Sequence, residues 1–174
     1  MSRYVVGVDV GGTTVKLGLF TDDGDVISKW EIPTRTENAG SLILPDIADS
    51  IKKELVANSI NGDDVAGVGI GVPGPVDDNG VVHKAVNLGW DQFNLVDAMK
   101  PLLPGVTVKG GNDANVAALG EMWKGGGQGF NSIVAVTLGT GVGGGIIIGG
   151  RLLNGSTGAG GEIGHIHVED VAEA

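Results

Sequence analysis

Residues 5–20 read VVGVDVGGTTVKLGLF, and residues 133–148 read IVAVTLGTGVGGGIII. The two stretches lie at a constant offset of 128 positions and share one layout: an apolar run, a polar residue, a bend of glycine and threonine, and a second apolar run. β-branched residues on both sides of a glycine bend are typical of two antiparallel strands. The chain therefore repeats one hairpin, and this repeat decides the predicted fold.

The first hairpin is expected to open an antiparallel meander. Strands are predicted at Tyr4–Asp9, Val15–Phe20 and Val26–Ile32, with Asp23-Gly24 as the turn between the second and the third. Isoleucine or leucine then recurs at positions 43, 47, 51 and 55, which predicts an amphipathic helix with Pro45 in its first turn. The meander is thus followed by α/β elements.

The rest of the chain alternates between strand and helix patterns. On the helix predicted at Ala114–Trp123, three large apolar residues, Val116, Leu119 and Trp123, share one face. The other predicted elements are strands at Val65–Val72, Val106–Lys109, Ile133–Leu138 and Val142–Ile148, and a helix at Leu95–Leu102.

Composition narrows the classes of partner. The chain has 174 residues, 33 glycines, no cysteine and a formal net charge of −10. This charge would repel nucleic acid and anionic membranes, so bound anions must be held locally by backbone N–H groups or single lysines. Because the chain has no cysteine, it can form no disulfide and no thiolate metal site. The sequence shows neither the basic and apolar pattern of a signal peptide nor a long apolar span, so the expected location is the cytoplasm.

The two glycine bends are candidate phosphate sites. Glycine lets a backbone approach a ligand closely, and N–H groups at a turn can converge on an anion. Asp9, just before the first bend, would hold a hydrated Mg²⁺ beside such phosphates. The alternative is that both bends are only tight hairpins. A Rossmann site fits poorly, because neither bend opens a helix.

These motifs resemble known ATP-binding proteins. DVGGTTVKLGLF is similar to the first phosphate loop of the actin, Hsp70 and hexokinase superfamily, and GVGIGVPGPVD, NLGW, NDANVAALGE, TLGTGVGGGIIIGGRLLNG and GAGGEIGH follow in the order typical of ROK sugar kinases and repressors. The resemblance runs from Val5 to His167. It implies an α/β, ribonuclease H-like (actin-like ATPase) domain at residues 1–111 and the beginning of a second such domain at 112–174.

The resemblance implies that the first bend binds ATP, and the repeat extends this role to the second bend, where Thr137 and Thr140 would supply hydroxyl groups. Lys16 would reach a phosphate, although an exposed strand lysine would look the same. The nucleotide-binding set is Asp9, Gly11, Gly12, Thr13, Thr14, Lys16, Thr137, Gly139, Thr140 and Gly141.

A base is expected at Asp113, where the start of a helix favours the carboxylate form; from the residues alone, a helix cap is an equal alternative. The resemblance implies that Asp113 takes the proton from a sugar hydroxyl and that Asn112 binds the sugar. The resemblance likewise implies that Glu162 and His165 contact the sugar. From the residues alone, this segment is predicted to be an ordinary loop. Gly74 and Asn87 would line the same pocket.

The chain departs from the resemblance at its end. Family members carry a cysteine cluster after the residue that matches His165, and that histidine joins the thiolates on a structural Zn²⁺. His165 would bind zinc only if a longer parent protein supplies those cysteines. The C-terminal half, with a further sugar-binding Glu and most of the adenine pocket, is also missing, so the simplest interpretation is the N-terminal portion of a longer kinase.

The resemblance implies phosphorylation of a hexose that depends on ATP and Mg²⁺, with glucose converted to glucose 6-phosphate. It also implies that the full-length protein forms homo-oligomers. Three alternatives stay open: the core of a sugar-responsive ROK regulator, a kinase for N-acetylmannosamine, N-acetylglucosamine or fructose, and polyphosphate as the donor. The regulator is disfavoured because strand sequence starts by Tyr4, with no room for a helix-turn-helix before it.

The isolated 174 residues are expected to be inactive, because a second sheet without its covering elements leaves apolar faces and open edges. The measurement is ADP release from ATP in the presence of glucose. Glucose-dependent release by this chain alone would contradict the expectation.

Overall fold

The computed structural model describes residues 3–139, 141–156 and 158–167. The chain divides into two compact units, residues 1–113 and residues 114–174, here called the N-terminal and C-terminal units. The predicted division into two actin-like domains at 111/112 stays a prediction. Within the described ranges, no helix has the length and apolar character needed to span a bilayer.

The N-terminal unit is built on a five-stranded sheet in the order β3-β2-β1-β4-β7. The antiparallel meander β1-β2-β3 is present as predicted, and β4 and β7 run parallel to β1. This mixed α/β topology confirms the predicted fold class. The strands are β1 (Tyr4–Val10), β2 (Thr14–Thr21), β3 (Val26–Pro33), β4 (Val65–Val72), β5 (Val81–Val82), β6 (Phe93–Asn94) and β7 (Val108–Asn112), and the helices are α1 (Glu37–Gly40), α2 (Ile43–Ala57) and α3 (Leu95–Met99).

One face of this sheet carries the core. Alternate residues of the strands point to one side, so Val6, Val8 and Val10 of β1 are buried together with the apolar stripe of α2. The four-residue spacing that predicted α2 is the spacing of its buried residues, which include Ile47 and Ile51. The opposite face of β1 carries the exposed Asp9.

Two predicted elements differ from the observed ones by more than one residue at an end. The helix expected to reach Leu102 ends at Met99, because Pro101 has no N–H to continue the helical hydrogen bonds. The strand expected at Val106–Lys109 instead spans Val108–Asn112. Its Gly110 and Gly111 pair with β4, so tertiary pairing overrides the weak strand preference of glycine.

The C-terminal unit contains a three-stranded sheet in the order β10-β9-β8. Its strands are β8 (Ile133–Leu138), β9 (Val142–Ile148) and β10 (Arg151–Leu152), and α4 (Asp113–Lys124) begins at the last residue of the N-terminal unit. β8 and β9 form the second predicted hairpin. On β8, Val134, Val136 and Leu138 are 63%, 52% and 81% exposed.

Glycines of β9 let α4 lie directly on the sheet. A Cβ atom added at Gly145 would come within 2.5 Å of the Ala118 Cβ, and one added at Gly143 within 3.1 Å of the Ala114 Cβ. Gly144 points to the other side, where an added Cβ would meet Ile163 at 2.6 Å. These glycines are therefore packing positions with no room for a side chain.

This packing selects an unexpected face of α4. Ala114 and Ala118 are buried, whereas the large apolar residues expected on one face, Val116, Leu119 and Trp123, are 41%, 43% and 55% exposed. Only small residues fit against the β9 glycines, because larger side chains would hold the helix away from the sheet.

Substitution Gly145→Ala tests this packing. The added methyl group would lie 2.6 Å from the Ala114 carbonyl oxygen as well as against Ala118, so α4 must shift, at a cost of about 1–3 kcal/mol. We expect faster amide hydrogen exchange in β9 and α4. Gly139→Ala is the matched control, since among the residues that the structure describes no atom lies within 4 Å of a Cβ added there. Equal exchange in the two variants would show that the contact is not needed.

Candidate active site

The first glycine bend, Gly11–Thr14, lies between β1 and β2 and is held by the end of β3. The Gly11 N–H donates to the Thr14 carbonyl oxygen at 3.1 Å, and a Cβ added at Gly11 would lie 2.8 Å from that oxygen. The Thr34 hydroxyl donates to the Gly11 carbonyl oxygen at 2.7 Å, and the Thr34 N–H donates to the Thr13 carbonyl oxygen at 2.9 Å. The bend thus has one defined shape, and Gly12 and Thr13 are exposed on it.

The three parallel strands β1, β4 and β7 have their carboxyl ends at the same edge of the sheet. β1 ends before the glycine bend, β4 ends before Pro73-Gly74, and β7 ends at Asn112 before Asp113. The register pairs Asp9 with Gly71 and Val72 with Asn112, so the three ends are level. Ligands of open α/β sheets bind outside the carboxyl ends of the strands.

Gly74 and Asn112 are in contact at this edge. The Asn112 side-chain NH₂ donates to the Gly74 carbonyl oxygen at 3.1 Å, and Asn112 is only 8% exposed. Gly74 has a φ of 90°, and a side chain there would collide with the Lys84 carbonyl. Asp113, the next residue, is exposed in the first turn of α4. Three residues predicted for the sugar therefore lie within one small region.

Asn87 lies beside the glycine bend. It is in the short 3-10 turn Val86–Leu88, which ends at Gly89 with a φ of 72°. A Cβ atom added at Gly12 would be 3.7 Å from the Cβ and from the carbonyl oxygen of Asn87. A residue predicted for the sugar and one predicted for the phosphates are thus neighbours within the N-terminal unit.

The turn that carries Asn87 is supported by α1. The Trp90 indole N–H donates to the Gly40 carbonyl oxygen at 3.3 Å, and Asn38 and Ala39 have φ values of 51° and 56° in the left-handed region. Neither this support nor the Thr34 hydrogen bonds were predicted. Local sequence carries no signal for them, because both join segments that are distant along the chain.

Asp9 and Lys16 are cross-strand partners on the exposed face of the sheet. Within the described ranges, their charged groups are not within ion-pair distance of each other, and Lys16 is also opposite Glu31 of β3. Asp9 is two residues before Gly11, so its carboxylate is near the bend along the strand. The roles assigned to Asp9 and Lys16 stay predictions.

The second bend lies in the C-terminal unit. The Gly139 N–H donates to the Gly141 carbonyl oxygen at 3.0 Å. A Cβ added at either glycine would have no atom of the described part of the chain within 4 Å. Thr137 precedes the bend at the end of β8, and Thr140 lies outside the described residues. Unlike the β9 glycines that follow, Gly139 and Gly141 leave open space at the backbone.

Glu162 and His165 are close to one another across the 3-10 turn Ile163–His165, as their spacing suggested. The His165 Nε2 atom is 3.9 Å from a Glu162 carboxylate oxygen, too long for a hydrogen bond, and the side chains are 86% and 40% exposed. Both groups are therefore available to hydroxyl groups of a ligand.

The donor set in this segment does not fit a structural zinc ion. Among the residues that the structure describes, no three His, Asp or Glu side chains are grouped closely enough to hold a metal ion, and the chain has no cysteine. Glu162 and His165 by themselves supply two donors where such a site uses four.

Comparison with known proteins places this chain in a family. The ROK family sequence profile matches residues 5–174, and the chain belongs to the ROK family. It is 48% identical to a glucokinase from Halalkalibacterium halodurans over 95% of this chain and 50% of that protein. It is 36% identical to an N-acetyl-D-glucosamine kinase from Aliivibrio fischeri over 91% of this chain and 51% of that protein.

A solved structure agrees with the fold. The ROK family glucokinase from Streptomyces griseus, crystallised with glucose and AMPPNP, superimposes with a TM-score of 0.78 at 37% identity, over 95% of this chain and 51% of that one. The chain thus spans about half the length of the relatives that it matches.

Proposed function

We propose that the protein carrying this chain is an ATP-dependent hexose kinase that converts glucose to glucose 6-phosphate. The observation that carries the proposal is the level edge of β1, β4 and β7, which brings the glycine bend, the Gly74–Asn112 contact and Asp113 together. The glucokinase relatives support glucose as the sugar.

The first glycine bend would bind phosphates of ATP, and the role of the second bend stays a prediction. In the described part of the chain, the carbonyl groups of Gly11, Thr13 and Thr14 accept hydrogen bonds, and no backbone acceptor takes the N–H groups of Gly12 and Thr13. Backbone N–H groups at a turn can bind an anion. They need no cluster of basic side chains, which agrees with the acidic composition of this chain. Mg²⁺, when bound, would neutralise phosphate charge, and Asp9 would hold it through water.

The transfer step needs a base and a grip on the sugar. Asp113 would accept the proton of one sugar hydroxyl. The oxygen of that hydroxyl would bond to the γ-phosphorus of ATP while the bond between this phosphorus and the ADP oxygen breaks. Its place at the start of α4 favours the ionised carboxylate, which is the form that a base requires. In the N-terminal unit, Asn112 would hydrogen-bond another hydroxyl, with Gly74 and Asn87 lining the pocket. The sugar-binding roles of Glu162 and His165 stay predictions.

An N-acetylglucosamine kinase is the second candidate. It is favoured by the relative from Aliivibrio fischeri, which has 36% identity to this chain. An acetamido group differs from a hydroxyl in size and in hydrogen bonding, so the shape of the pocket decides between the two sugars.

Substitution Asp113→Asn in the full-length protein tests the base. Asparagine keeps the size of the side chain and can still cap a helix, but it cannot accept the proton. We expect kcat to fall about 100-fold or more, while the circular dichroism spectrum and the Kd for glucose change little. Asp97→Asn, in the first turn of α3, is the matched control and should keep full activity. Unchanged turnover of Asp113→Asn would refute the assignment.

A panel of sugars and donors tests the substrate. The full-length protein is assayed with glucose, N-acetylglucosamine, N-acetylmannosamine and fructose, each with ATP and with polyphosphate. We expect kcat/KM to be at least about tenfold higher for glucose with ATP than for any other pair, a difference that a few pocket contacts can supply. A higher value for N-acetylglucosamine would establish the second candidate instead.

A further inference from the structure

Thr34 contacts the first glycine bend through two different groups. It follows Pro33, the last residue of β3, and is half-buried. Its hydroxyl donates to the Gly11 carbonyl oxygen at 2.7 Å, and its N–H donates to the Thr13 carbonyl oxygen at 2.9 Å. One residue therefore fixes two of the peptide groups of the bend.

Fixing these carbonyl groups also fixes the N–H groups next to them. In a planar trans peptide, the carbonyl of one residue and the N–H of the next point in opposite directions. Because the Gly11 and Thr13 carbonyls point towards Thr34, the N–H groups of Gly12 and Thr14 point away from it. A bend without this constraint would be free to rotate its peptides, since glycine permits a wide range of backbone angles.

The Thr34 hydroxyl also replaces the usual closing bond of the turn. A tight turn over Gly11–Thr14 would close by donation from the Thr14 N–H to the Gly11 carbonyl. Among the hydrogen bonds of the described residues, the Gly11 carbonyl accepts from the Thr34 hydroxyl instead. Without the hydroxyl, the Gly11 carbonyl would lose this partner, and the Gly11–Gly12 peptide group would be free to rotate.

We propose that Thr34 is a positioning residue for nucleotide binding: its hydroxyl fixes the Gly11–Gly12 peptide of the first glycine bend, so that the Gly12 N–H group faces the phosphates. This inference rests on the proposed kinase function for the identity of the anion. Thr34 itself does not contact the nucleotide; it acts through the peptide groups of the bend.

The test measures binding of a non-hydrolysable ATP analogue with Mg²⁺ by calorimetry, in the full-length protein. Thr34→Val keeps the branched shape and the N–H but removes the hydroxyl, and Thr34→Ser keeps the hydroxyl. We expect Thr34→Val to weaken the Kd for the analogue about fivefold to tenfold, the effect of one lost hydrogen bond, and Thr34→Ser to stay within about twofold of the unsubstituted protein. The Kd for glucose should not change in either variant.

Thr21→Val is the matched control. The Thr21 hydroxyl accepts from the Asp25 N–H in the β2–β3 turn, at the opposite end of β2, so its loss should leave the Kd for the analogue unchanged. A merely structural role of Thr34 would lower the number of competent sites and the Tm without changing the Kd, and that result would overturn the inference.

The outcomes separate this inference from the proposed function. If the protein binds the analogue with the expected Thr34 dependence but does not phosphorylate a sugar, the kinase proposal fails and the role of Thr34 stands. If it phosphorylates glucose and Thr34→Val binds the analogue as tightly as the unsubstituted protein, the role of Thr34 fails alone. If the unsubstituted protein does not bind the analogue, both fail.

Discussion

The parallel hydrogen-bonded pairing of β1 with β4, and of β4 with β7, is the constraint on which the candidate site depends. Backbone hydrogen bonds set the register of these strands, and the register makes their carboxyl ends level. A shift of one residue would turn the core-facing valines of β1 to the exposed face, so burial of the core maintains the register. The core and the site are therefore specified by the same pairing.

Glycine serves two separate purposes in this chain. At Gly143 and Gly145 it provides close packing of α4 on β9, because an added Cβ would meet Ala114 or Ala118. At Gly139 and Gly141 an added Cβ would have no atom of the described residues within 4 Å, so packing among these residues does not explain the glycines there. Composition cannot separate these purposes, since both kinds of glycine stand in the same short run of sequence.

Local sequence patterns predicted the elements that are determined by interactions between residues close together along the chain. The meander and α2 follow from alternation and from the four-residue spacing of buried side chains. The face of α4 was not predictable in this way, because the partner glycines lie far along the chain and admit only alanine. The predicted end of α3 was wrong for a reason visible in the sequence, the missing N–H of Pro101.

The sequence by itself determined the duplicated hairpin, the meander and, through motifs in a fixed order, membership of the ROK family. The reason is that turn chemistry and hydrophobic alternation act between near neighbours. Only the tertiary structure decided that Asn112 bonds Gly74 across 38 positions, that Asn87 lies against Gly12, and that Thr34 holds the carbonyl of Gly11. Such contacts come from strand pairing between distant segments, and no local pattern records which segments will meet.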